Sequence, residues 1–127
     1  MKILLLIALG GGLGTGFRFV AMRYVNHRFP GFPYGTLMVN VFGSFLAGLI
    51  YMAARQQLIS FEAFLPLILI GFIGSFTTFS TYALESMRIL MHGKFAKGFL
   101  NIIVMNVTGM GAVYLGVALG GCFFPDC

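Results

Sequence analysis

Residues 71–85 read GFIGSFTTFSTYALE. Five hydroxyl side chains, Ser75, Thr77, Thr78, Ser80 and Thr81, stand in a run that is otherwise apolar enough to cross a bilayer. Hydrocarbon offers no water to polar groups, so each must find a partner within the protein. One or two hydroxyls in an intact helix bond back to the carbonyl four residues earlier. Five of them beside Gly74 fit better a third helix broken near its middle, at that glycine, with Ser and Thr re-satisfying the freed backbone groups. Carbonyls exposed at such a break suit a hard cation, and broken helices in transporters mark ion sites near the midplane. Past the break, Phe79 and Tyr82 are three residues apart on one helical face, with Glu85 a turn further. Aromatic edges are electropositive, so edges turned inward would meet an anion; with 15 phenylalanines in the chain, ordinary helix packing is the competing reading.

The rest of the chain has the same solvent in view. Of its 127 residues 59% are hydrophobic and 9% charged, and eight basic and three acidic side chains cannot cover a water-facing surface. The mean hydropathy is +0.97. Apolar runs at about 3–24, 36–54, 64–91 and 99–119 predict an all-α membrane protein, a single four-helix transmembrane domain over residues 1–127. The runs are unbroken, where a barrel strand would alternate. NHRFPGFPYG forms the first loop, Arg55, Gln56 and Gln57 end the second helix, and Ser60 and Glu62 mark the start of the third. RILMHGKFAKG leads into the third loop. Hydrophobicity that continues to Tyr24 argues against a cleaved leader. Cys122 and Cys127 match no zinc or redox spacing. The net charge of +5 is scattered at the ends of apolar runs, which suits anchoring to lipid and not to nucleic acid. GGLGTG at 11–16 lacks the spacing and context of a nucleotide loop.

Other polar residues within the spans are Arg18, Asn40, Asn101, Asn106 and Thr108. Asn40 has two readings, an amide donor to an anion or an interhelical hydrogen bond. Arg18 either snorkels to the first loop or draws anions toward a vestibule. Small residues recur four apart at Gly10/Gly14, Gly12/Gly16, Ser44/Gly48 and Gly116/Gly120, a spacing that lets helix backbones approach closely.

Three stretches, GTGFRF (14–19), YGTLMVNVFGSFLAG (34–48) and GFIGSFTTFSTYALE (71–85), together resemble the Fluc (CrcB) fluoride channels of bacteria. The resemblance implies a four-helix subunit paired antiparallel with an identical copy, a dual-topology homodimer with two fluoride pores along the interface. It implies passive export of fluoride from the cytoplasm across the bacterial inner membrane, relieving fluoride toxicity. It matches Asn40 to a pore asparagine and Phe79 to the first of two pore phenylalanines. Gly74 and Thr77 match positions whose backbone carbonyls hold a central structural Na+. Thr36, Ser80 and Thr81 fall at hydroxyl positions near the pore, and Arg18 at the first-helix arginine. Tyr82 departs from the second pore phenylalanine, keeping the ring and adding a hydroxyl. The fourth helix shows no match to the family's polar track, leaving Asn101, Asn106 and Thr108 without a role.

Lys2 and Arg55 fall on one side of the membrane, and Arg23, Arg28, Arg88, Lys94 and Lys97 on the other. This bias favours cytoplasmic first and third loops, where a dual-topology protein is expected nearer balance. A small multidrug exporter is the nearest rival, but it needs a carboxylate in its first helix and none precedes residue 60. A membrane protein whose polar residues serve packing alone is a second rival. An enzyme is disfavoured, since no acid–base pair or metal cluster can be assembled in the spans. The aromatic-edge reading predicts that Phe79→Ile abolishes fluoride flux while the protein stays folded, checked by liposome efflux alongside size-exclusion chromatography.

Overall fold

The computed structural model of the chain describes residues 1–55 and 64–123. Gln56, Gln57, Ser60, Glu62 and Cys127 lie outside them. Helix α1 is Lys2–Arg28 and α2 is Tyr34–Arg55. Residues 65–76 form α3, which opens as a π-helical run, Leu65–Ile73, and continues through Gly74–Phe76. Helix α4 is Phe79–Met91 and α5 is Phe95–Phe123. Leu65–Met91 counts as one span, so four helices are long and apolar enough to cross a membrane. The shortest has 22 residues. At about 1.5 Å per residue it measures about 33 Å, enough for the hydrocarbon layer. The outer helices run past the apolar limits read from sequence, since the polar residues Asn26, His27 and Arg28 continue α1.

The turns are short. Gly31 and Gly93 have φ of 105° and 74°, backbone that favours glycine. At Gly93 the Lys94 N–H bonds back to the Ile89 carbonyl at 3.2 Å, closing α4 and sending the chain straight into α5.

The third crossing is bent but joined, which corrects the break expected at Gly74. Gly74 keeps helical angles, φ −59° and ψ −33°. The backbone turns extended three residues later, at Thr77 (φ −82°, ψ 159°) and Thr78 (φ −152°, ψ 113°). Thr77 N–H still reaches the Ile73 carbonyl at 3.0 Å, so the ladder persists to that residue. A glycine inside a helix needs no break while its neighbours stay bonded.

Two glycine seams hold the bundle. A Cβ on Gly10 or Gly14 of α1 would strike the Leu67 or Phe72 carbonyl of α3, and one on Gly71 would meet Ile7 and Gly10 in return. A Cβ on Gly48 of α2 would strike the Val113 carbonyl of α5, and one on Gly116 the Phe45 carbonyl of α2. Helix α1 therefore packs on α3, and α2 on α5, through backbone. The Gly12/Gly16 pair faces open space within the protomer. Large apolar side chains such as Leu13, Val20, Val107 and Met110 are exposed, as expected where lipid is the solvent. Gly14→Ala is expected to lower thermal stability in detergent by about 1–3 kcal/mol, the usual cost of overpacking. Gly12→Ala, with space to spare, should leave the melting temperature near that of the wild type.

Candidate functional site

The bend at Thr77–Thr78 removes two residues from the helical ladder, and Asn40 of α2 takes their place. Its Oδ1 accepts the Thr78 N–H at 2.7 Å, and its Nδ2 donates to the Thr78 carbonyl at 3.0 Å. An oxygen must face that N–H, which fixes the orientation of the amide. The second Nδ2 hydrogen points to the Met105 thioether at 3.6 Å, a weak acceptor that a better one would displace. One amide therefore braces the bend and keeps one N–H in reserve.

The Thr78 side chain caps the helix that follows. Its Oγ1 accepts the Thr81 N–H at 3.3 Å and donates to the Thr81 hydroxyl at 3.0 Å, while the Ser80 hydroxyl lies 3.4 Å away. This starts α4 inside the membrane with its positive end toward the bend. Thr77 Oγ1 donates to the Ile73 carbonyl at 3.1 Å. Arg18 Nη1, from α1, donates to the Thr77 carbonyl at 3.2 Å. Because the Thr78 N–H goes to Asn40, the Gly74 carbonyl loses the donor an unbent helix would supply. It and the second lone pair of the Thr77 carbonyl are the oxygens at the bend that can still accept.

Asn40, Thr77, Phe79 and Tyr82 line one open-sided groove of about 300 Å³, together with Met105 and Asn106 of α5. The Phe79 ring is 77% exposed, whereas Tyr82 is buried at 8%. The two rings meet edge to face with centroids 5.4 Å apart. Arg18 and Thr81 line a second groove, about 520 Å³, beside Thr15 and Asn26. Thr36 belongs to neither. It is fully buried and donates to Glu85 Oε1 at 2.9 Å, tying the start of α2 to α4. Ser80 is exposed, and Gly74 sits on the helix before the bend.

Sequence reasoning left three contributors without a role. Thr78 is the residue that Asn40 clamps, and Glu85 finds a hydroxyl partner across α2. Asn106 donates to the Tyr82 hydroxyl at 2.9 Å. No local pattern signals these contacts, since the partners stand 38, 49 and 24 residues apart.

The fold and this groove define a multi-pass helical membrane protein with a polar, aromatic-lined cleft at membrane depth. Comparison with known proteins narrows the class. Residues 5–117 match the family model described as CrcB-like protein, Camphor Resistance (CrcB). A Shewanella baltica protein named fluoride-specific ion channel FluC is 43% identical over 120 residues, covering 94% of this chain and 96% of that one. Its namesake from Magnetococcus marinus is 40% identical over 116 residues, 90% and 94% of the two chains. One from Vibrio parahaemolyticus is 39% identical over 119 residues, 93% and 94% of the two. The chain therefore belongs to the CrcB family, whose relatives here are named as ion channels and not as enzymes.

Asn40→Ala would leave both Thr78 backbone groups unpaired at a residue only 6% exposed. It is expected to destabilise the protein by about 2–4 kcal/mol, read as a lower melting temperature in detergent.

Proposed function

We propose that the protein is a fluoride-selective channel that lets F- leave the cytoplasm passively and so relieves its toxicity. The observation that carries this reading is the groove at the bend, where the reserve N–H of Asn40, the Phe79 ring and the Tyr82 ring lie together. A small anion surrenders its water only to compact donors held in place. An amide N–H, electropositive ring edges and the N-terminal end of α4 are such donors. Chloride is larger and fits the same spacing less well, so selectivity comes from geometry and field.

The groove is half a pore. Its open side and the exposed Phe79 ring, at membrane depth, favour closure by a second copy of the chain. The functional unit is an antiparallel homodimer with two pores in the bacterial inner membrane. Lys2 and Arg55 against five basic residues on the opposite side is a modest charge bias that this assembly tolerates. A central Na+ suits the Gly74 and Thr77 carbonyls, one left without its helical donor and one with a lone pair to spare, since hard cations take oxygen ligands. Bound there, the ion would supply a fixed positive charge that holds two bends together. Among the described residues no group of three or more His, Cys, Asp or Glu side chains gathers as a competing metal site.

Asn40 is the first pore residue, donating its reserve N–H, and Phe79 presents a ring edge. Arg18 and Thr81, in the neighbouring groove, lie on the approach, where the arginine also pins the bend to α1. Ser80 sits beside the Thr78 cap at the first turn of α4, and Thr36 holds α2 against Glu85. An exporter of cationic drugs would need a carboxylate on α1, and that helix has no acidic residue. Purified protein in liposomes loaded with fluoride and chloride should release fluoride rapidly while chloride stays. Retention of both ions would favour a packing role, and equal loss would remove the selectivity.

A further inference from the structure

Tyr82 and Asn106 form a polar pair on the wall of the groove that the reading above does not use. Asn106 Nδ2 donates to the Ile102 carbonyl at 2.7 Å and to the Tyr82 hydroxyl at 2.9 Å. A carbonyl can only accept, so the nitrogen must face Ile102, and this settles which end of the amide meets the tyrosine. Both Nδ2 hydrogens are then committed. The phenol oxygen is held as an acceptor, which leaves its own hydrogen to donate elsewhere. Among the described residues the Tyr82 O–H has no acceptor, and both residues line the cleft that contains Asn40 and Phe79.

We infer that Asn106 is a positioning residue that aims the Tyr82 O–H into the groove as a hydrogen-bond donor for the anion, in addition to Asn40. The inference rests on the channel reading. A neutral hydroxyl is a compact donor whose bond to an ion is stronger than a bond to a neutral group. It deepens the site where the ion pauses, and a deeper site fills at lower concentration but empties more slowly. Tyr82 therefore tightens fluoride binding at some expense in maximal rate, and Asn106 is needed for that effect only while the hydroxyl is present.

The test is initial fluoride efflux from proteoliposomes as a function of loaded fluoride, for wild type, Tyr82→Phe, Asn106→Leu and the double variant. Tyr82→Phe is expected to raise the half-saturating fluoride concentration about tenfold. Its maximal flux should be equal to or above that of the wild type. Asn106→Leu should shift the same constant the same way, by roughly threefold to tenfold, and add nothing in the Tyr82→Phe background. Size-exclusion profiles and melting temperatures establish folding independently, and a tie serving stability alone would move the melting temperature and not the half-saturation. Unchanged half-saturation in Tyr82→Phe, or an additive shift in the double variant, overturns the inference while leaving a fluoride-conducting wild type in place. A wild type that releases no fluoride overturns the channel reading and this inference with it.

Discussion

The reciprocal bond between Asn40 and Thr78 is the constraint on which the site depends. A transmembrane helix that turns extended for two residues exposes backbone polar groups to a medium without water. One carboxamide matches a peptide's donor and acceptor together, and no other side chain type does so except glutamine. Fixed in this way, the bend holds Phe79 and Tyr82 on the wall opposite α5 and starts a new helix at membrane depth. The pairing also ties α2 to the third crossing, so the site is built from two helices that could not otherwise register against each other.

Three further contacts hold the bend from other directions. Arg18 approaches the Thr77 carbonyl from α1, and the glycine seam at Gly10 and Gly14 brings α1 close enough for it. Thr36 reaches Glu85 one helical turn before Asn40, joining the same two helices at a second point. On α5, fully buried Asn101 donates to Ser86 at 2.9 Å, and the Ser86 hydroxyl donates to the Tyr82 carbonyl at 2.8 Å. Helix α4 is thus tied by side-chain hydrogen bonds to the helices on either side. Such bonds are modest singly in a membrane, but they give direction where apolar packing against lipid-like neighbours gives little.

The membrane class, the helical content and the crossings are legible in sequence because they follow from composition and run length. The importance of residues 71–85 is legible for a similar reason, since hydroxyls crowded into an apolar span demand an explanation. The location of the bend is less so. Gly74 is the residue with the freest backbone, yet the chain departs from the helix at Thr77 and Thr78, where Asn40 offers alternative bonds. Asn40 itself stood out as the lone amide of its span, but which backbone group it would hold was invisible 38 residues away. The same limit hid Asn106, whose partner lies across a turn and on another helix. Small-residue spacing was informative for Gly10/Gly14 and Gly48 and could not separate them from Gly12/Gly16, because period alone does not say which side a neighbour occupies.

The π-helical run Leu65–Ile73 has a bearing on how this crossing can change over evolutionary time. Its bonds skip one residue more than those of an α-helix, so it accommodates more chain per turn. Deleting a single amino acid there would let the segment revert to ordinary winding and swing everything downstream by about 100°. Thr78 would then face away from its asparagine, and the aromatic pair would rotate out of the cleft. Length within this short stretch is therefore under tighter restraint than side-chain identity: aliphatic residues can be exchanged there with little consequence, whereas insertions and deletions cannot.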